Sequence, residues 1–270
     1  KKKTELTKKQ EIINTIPSAA GKIVDAILLL VGGNIHYKNK YRENFVLKSE
    51  KPLVKPLKIV MVSDLHIGYH NPKSDIINGE NPDLVLIAGD IVDFSIVPVL
   101  EQDDASEFRR VNAPIYACYG NHDHMSGITN AKDFFERANI RVLCDETVVL
   151  PSLGVALIGR DDRTNKERLP IREIVTDEAK QYYTILMDHQ PYHLEEAEEN
   201  QIDFQFSGHT HEGQVWPLNY IVNAIYECGY GRWTKGKTEY YISSGLGIWG
   251  GKFRIGTRSE YVVAELSNLD

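Results

Sequence analysis

The sequence predicts an α/β fold in which two β-sheets pack face to face with helices outside. Two observations carry this expectation. From Leu57 to Cys118 short apolar runs alternate with helical or loop segments, and beyond that half the runs rich in Val, Ile, Tyr and Leu follow one another between turn residues. With 270 residues and 42% hydrophobic content, the chain can bury a sizeable core. The expected division is a basic extension over residues 1–50 and a folded body over 51–270.

The extension comes first. Residues 1–60 hold 13 Lys and Arg against 5 Asp and Glu, the remainder holds 18 against 33, and the whole chain carries −7. Ile23, Val24, Ile27, Leu28 and Val31 lie at helical spacing, so an amphipathic helix is expected over 12–31, ending at Gly32-Gly33. Lys22 and Asp25 interrupt it, and its longest unbroken apolar run, 26–31, is far short of the ~20 residues that span a bilayer. Two uses remain open for residues 1–33. Packing of the apolar face on the body is the commoner fate of such helices; the other is to lie on an anionic membrane surface. A strand at 41–47 follows, and Lys51-Pro52 with Lys55-Pro56 mark a linker.

In the body, strands are expected at 57–62, 84–88 and 115–118, with helices near 73–79, 95–110 and 133–138. Further strands are expected at 141–150, 153–159, 182–187, 203–206, 239–243 and 260–266. Cys118, Cys144 and Cys228 are odd in number and outside any C-x-x-C pattern, so neither a disulfide framework nor a thiolate zinc site is expected. The acidic body argues against duplex nucleic acid as a partner, since such binding needs a basic footprint.

Five short segments, each after an apolar run, carry the candidate chemistry: Asp64-Leu65-His66, Gly89-Asp90 with Asp93, Gly120-Asn121-His122-Asp123, Asp188-His189-Gln190-Pro191, and Gly208-His209-Thr210-His211. Asp64, His66, Asp90, Asn121, His189, His209 and His211 offer oxygen and imidazole ligands, enough for two cations along one sheet edge. Residues two apart on an extended segment point the same way, as Asp64 with His66 and His209 with His211 would. A carboxylate such as Asp90 can bridge two cations. His122, next to Asn121, must point elsewhere and is free to meet a substrate. Five of the nine histidines fall in these segments, and His36, His70, His124 and His193 are read as structural or surface residues.

In that order the segments resemble the signature of the calcineurin-like metallophosphoesterase superfamily, from about Leu57 to Leu266. A narrower likeness, in His189-Gln190-Pro191, Gln214 and Ser244-Gly245-Leu246-Gly247-Ile248-Trp249-Gly250, is to a bacterial membrane-linked branch of phosphodiesterases and UDP-diacylglucosamine pyrophosphatases. The resemblance implies a four-layer fold and two divalent metal ions, with Mn, Zn and Fe all suited to the donors. It assigns Asp64, His66, Asp90 and His211 to one ion, and Asp90, Asn121, His189 and His209 to the other. It also implies that His122 protonates the leaving oxygen and that Asp93 orients its ring, while a metal-activated hydroxide attacks phosphorus. Glu212 departs from the branch, which usually has Gly there.

The expected activity is therefore hydrolysis of a phosphodiester or pyrophosphate bond. The apolar stretch Trp216-Pro217-Leu218-Asn219-Tyr220-Ile221-Val222 would suit a lipid-linked substrate, or would simply pack on the core. The alternatives are a cyclic-nucleotide or nucleic-acid phosphodiesterase and a non-catalytic metal-binding scaffold. A membrane-associated location is favoured over a cytoplasmic one by the branch's habits.

Overall fold

The computed structural model describes the backbone of residues 2–68 and 74–269, with side chains from Ala20 onward. His70 and the start of the helix expected at 73 lie outside the described residues, as do the side chains of the first part of the basic extension. The strands are β1 (Lys40–Ser49), β2 (Leu57–Val62), β3 (Leu84–Ala88), β4 (Ile115–Cys118), β5 (Ile140–Val142), β6 (Glu146–Leu150), β7 (Val155–Gly159), β8 (Tyr183–Met187), β9 (Phe204–Ser207), β10 (Gly231–Lys235), β11 (Thr238–Ile242) and β12 (Ser259–Asn268). The helices are α1 (Lys2–Lys38), α2 (Ser74–Gly79), α3 (Val97–Glu101), α4 (Asp104–Arg109), α5 (Asn121–Ser126), α6 (Ile128–Arg137), α7 (Ile171–Ile174), α8 (Glu195–Glu199) and α9 (Leu218–Ile225).

Two mixed six-stranded sheets result, in the orders β1-β12-β2-β3-β4-β5 and β10-β11-β9-β8-β7-β6. Alternation along each strand explains why they stack. Ile59 and Met61 of β2, and Leu84, Leu86 and Ala88 of β3, face a core shared with Val155 and Leu157 of β7 and Ile185 and Met187 of β8. The intervening Val60, Val62, Val85 and Ile87 face the other way, onto Phe108, Phe134 and Phe135 of α4 and α6. Ile158 and Leu186 do the same on the far side of the second sheet. Strands buried on both faces read as continuous apolar runs, which is the pattern at 59–62, 84–88 and 185–187. The expected fold, two sheets flanked by helices, is the one observed.

Three local expectations are revised. The run at 141–150 is two strands in different sheets: Asp145, at φ 52, turns the chain from β5 into β6 and accepts the backbone N–H groups of Asp161 and Leu169, each at 2.9 Å. The helix near 95–110 is divided, because Asp103 takes the left-handed conformation between α3 and α4. And α1 does not end at Gly32-Gly33. There Gly33 serves close approach: a Cβ would meet the Arg254 carbonyl at 3.0 Å, and Arg254 N–H donates to the Gly33 carbonyl at 3.0 Å. Among the described side chains of α1, this last part docks on the body, where Tyr37 is buried, whereas Ile23, Val24 and Ile27 through Val31 are exposed. No helix among the described residues is long and apolar enough to cross a membrane.

Candidate metal centre

Every candidate side chain follows a strand. Asp64 and His66 leave β2, Asp90 and Asp93 leave β3, and Asn121 and His122 open α5 three residues after β4; His189 follows β8, and His209 and His211 follow β9. Because β2, β3 and β4 run parallel, as do β8 and β9, their carboxyl ends bring both sheets' loops to one edge.

Two ligand groups form there, Asp64 with His66 and His211, and Asp90 with His189 and His209, each with ligand atoms within 4.8 Å of one another. Asp90 lies between them: its Oδ2 is 3.2 Å from His189 Nε2 and 3.7 Å from His66 Nε2. His66 Nε2 is also 3.2 Å from His211 Nε2, and His211 Nε2 is 3.3 Å from Asp64 Oδ1. Asn121 Oδ1 is 2.8 Å from His209 Nδ1. His122 stands close enough to form a third group with His66 and Asp90, but its ring is otherwise engaged: Nδ1 is 2.8 Å from Asp93 Oδ1, and its backbone N–H donates to Asp90 Oδ1 at 2.8 Å. Asp93 is shared, since its Oδ1 also lies 3.3 Å from His66 Nδ1.

The donor set fits divalent cations. His189 Nδ1 donates to the Ala88 carbonyl at 2.7 Å, which leaves Nε2 as the lone-pair nitrogen of the neutral ring. That Nε2 is buried 3.2 Å from Asp90 Oδ2, with no hydrogen-bond partner among the described residues. Burial lowers the ring's proton affinity, but the carboxylates of Asp90 and Asp64 hold it well above that of a free imidazole until a cation takes the proton's place. Hard oxygen and imidazole donors without thiolate are the chemistry of Mn, Fe and Zn sites.

The backbone around these side chains is unusual. Asp64, His66, Asp90, His209 and His211 all have positive φ, between 46° and 70°. Non-glycine residues held there cost about 1–3 kcal/mol each and cluster where side chains must be aimed. Two glycines make room. A Cβ on Gly120 would meet Asp90 Oδ1 at 2.2 Å, and one on Gly208 would meet Asp64 Oδ2 at 2.3 Å.

Electrostatics separates the groups. Burial alone would raise the Asp90 carboxyl, but the imidazoles of His189, His66 and His122 outweigh it and hold it below the carboxylate range. Asp64, buried beside Asp90, is raised. His209 is pushed down to about 4, and His211 well down, by burial and neighbouring imidazoles, so both are neutral lone-pair donors near pH 7. His122 moves the other way: burial lowers it, but the Asp93 hydrogen bond and the Asp90 charge raise it overall.

With this geometry in view, the comparisons with known proteins are direct. The family profile described as calcineurin-like phosphoesterase matches residues 57–213. The chain belongs to this family. Its members are metal-dependent phosphoester hydrolases. An uncharacterized metallophosphoesterase of Campylobacter jejuni is 30% identical over 79% of this chain and 60% of its own length. One from Aquifex aeolicus is 29% identical over 89% of this chain and 97% of its own. A Bos taurus transmembrane protein with a metallophosphoesterase domain is 28% identical over 77% of this chain and 52% of its own. The chain thus spans about 60% of the length of its Campylobacter and Helicobacter relatives.

For this metallophosphoesterase, the structure adds residues and roles that the motifs left unassigned. Arg254 is fully buried and pairs with no carboxylate among the described residues; its guanidinium donates to the carbonyls of His211, Ser244, Gly245 and Gly247, and Nη2 lies 3.4 Å from His211 Nδ1. Burial pushes it down to about 10. Asp123 accepts the backbone N–H groups of Gly120 and Val92, each at 2.9 Å, fixing α5 against the loop after β3. Phe94 packs on His122 with ring centroids 4.7 Å apart. A D-x-x-D spacing names Asp93, but nothing in sequence says which neighbour covers the histidine. Glu212 sits beside His211 outside both ligand groups, pushed up to about 7 by burial and Glu260.

Proposed function

We propose that this metallophosphoesterase hydrolyses a phosphodiester or pyrophosphate bond at a dinuclear centre, with His122 as general acid. The observation that carries the reading is the His122–Asp93 pair at 2.8 Å beside a carboxylate, Asp90, that stands between two ligand groups. Asp64, His66, Asp90 and His211 would hold one cation and Asp90, Asn121, His189 and His209 the other. Bound there, divalent cations supply Lewis acidity toward phosphoryl oxygens and make water nucleophilic at neutral pH. Mn, Zn and Fe all suit the donors.

The protein's own part is proton delivery and orientation. Asp93 holds Nδ1 of His122, so Nε2 is the nitrogen that faces a leaving oxygen. The raised affinity of His122 for its proton keeps the imidazolium populated until the P–O bond breaks, and the proton then passes from Nε2 to the departing oxygen. Asp93 stays ionised, because hydrogen bonds from His122 and His66 outweigh burial and hold its carboxyl below the usual range. His122→Ala should lose about a hundredfold or more in turnover on a diester with a poor leaving group, while its cation content stays that of the wild type. Near wild-type turnover in that variant would refute the acid assignment.

The substrate is read as apolar or lipid-linked. Supporting this, Trp216 and the α9 side chains Leu218, Tyr220, Ile221 and Ile225 are all exposed next to the His211 turn, and α9 buries none of its residues. Contact of residues 1–33 with a membrane surface is supported by the exposed apolar side chains of α1. Vesicles of anionic lipid should pellet the full chain and not a form lacking residues 1–32; equal pelleting would remove the membrane reading. The acidic body favours small or lipid-linked phosphates over long nucleic acid, and cyclic nucleotides belong on the same substrate panel.

A further inference from the structure

We infer that Phe94 and Met125 form the seat of the leaving group and select substrates whose leaving group carries an apolar or aromatic body. The inference rests on the proposed role of His122 as the acid. Two rings of different chemistry pack against that ring. His66 meets it edge-on at 4.6 Å on the side of the ligand groups, and Phe94 covers it at 4.7 Å with planes inclined by 57°. Phe94 follows Asp93, whose carboxylate fixes His122, so ring and acid are held by the same short segment. Met125 stands three residues after His122 on α5 and therefore on the same side of that helix. Phe94 and Met125 are each 56% exposed, beside a cluster in which the ligand side chains are almost wholly buried.

The geometry constrains what lies there during reaction. An oxygen protonated by His122 Nε2 must come within about 3 Å of it. The atoms attached to that oxygen are then brought within reach of the Phe94 ring. A methylene chain or an aryl ring would bury apolar surface on both Phe94 and Met125; a small alcohol would leave both in water. Discrimination arises on the leaving side, independently of how the phosphoryl group is held.

Dibenzyl phosphate and diethyl phosphate test this, because their leaving alcohols have similar acidity and differ in body. The wild type should favour the dibenzyl ester by about tenfold in kcat/KM. Phe94→Ala and Met125→Ala should each lose most of that preference, read as the ratio of kcat/KM on the two esters. Inhibition by benzylphosphonate against ethylphosphonate repeats the comparison without turnover. A preference that survives both substitutions, or an equal loss on both esters, overturns the seat. His122→Ala keeps the two readings apart: sustained turnover of diethyl phosphate in that variant refutes the acid alone, and an unchanged preference in Phe94→Ala refutes the seat alone.

Discussion

At the residue scale, Arg254 ties two loops of the centre together. It reaches the His211 carbonyl on one side and the turn 244–247 on the other, and that turn in turn donates Gly247 N–H to the Asp64 carbonyl at 2.8 Å. Arg254→Met would take this donor from the buried Ser244 and Gly247 carbonyls, while those of His211 and Gly245 keep the backbone N–H groups of Gln214 and Glu260, a loss of roughly 3 kcal/mol. Its thermal midpoint should fall by several degrees, and Arg254→Lys, which can satisfy only part of the set, should fall between. Gly120→Ala tests close approach instead: its Cβ would occupy the place of Asp90 Oδ1, so bound metal should drop while Gly127→Ala, whose Cβ has open space apart from a long contact, costs only its backbone strain. Asp104 gives a pH signature. It is buried with Oδ2 unpartnered among the described residues, and burial with Asp103 and Glu107 nearby pushes it up to about 6. An unfolded Asp titrates near about 3.9, so the folded state binds this proton more tightly, and its cost to stability is absent below pH 4 and complete above pH 6. Asp104→Asn should therefore raise the midpoint at pH 8 and leave it unchanged at pH 3.5; an equal shift at both would contradict this.

At the element scale, the strands were legible and the helix ends were not. The runs before Asp64, Asp90, Asn121 and His189 are apolar on both faces because each strand lies between a shared core and a helix layer, which is what a continuous hydrophobic run records, whereas β9 alternates Phe204 and Phe206 with the buried polar Gln205 and Ser207. The end of α1 was misread because Gly33 looks like a stop signal while its reason lies at Arg254, more than two hundred residues away. The turn at Asp145 was hidden for a related reason: its carboxylate is satisfied by Asp161 and Leu169, partners no local pattern reveals. For α9, apolar spacing fits a core helix as well as a lip; Leu218, Ile221 and Ile225 are exposed, so the helix does not bury them in the core. Replacing Leu218 and Ile221 by Ser should then lower the thermal midpoint only slightly, since both side chains are about half exposed, yet weaken turnover of an acylated substrate relative to a short-chain one.

At the scale of the whole molecule, the centre exists because two sheets with different sequence patterns end at one edge. The first supplies Asp64, His66, Asp90, Asn121 and His122, the second His189, His209 and His211. Which residues would gather was legible from the five segments, since each chemistry-bearing group follows a buried strand. Their division around Asp90 came only with the family resemblance, and the sharing of Asp93 between His66 and His122 required coordinates. Cations that bridge the two sheets would also stabilise the fold, by about 2.7 kcal/mol at a hundredfold excess over Kd, so chelation should lower the midpoint. The central claim is a dinuclear centre built on Asp90, and metal analysis of the wild type beside Asp90→Ala tests it most directly. The account predicts two divalent cations per chain in the wild type and fewer than one in the variant; a wild type that holds a single cation, or a variant that keeps both, would contradict it.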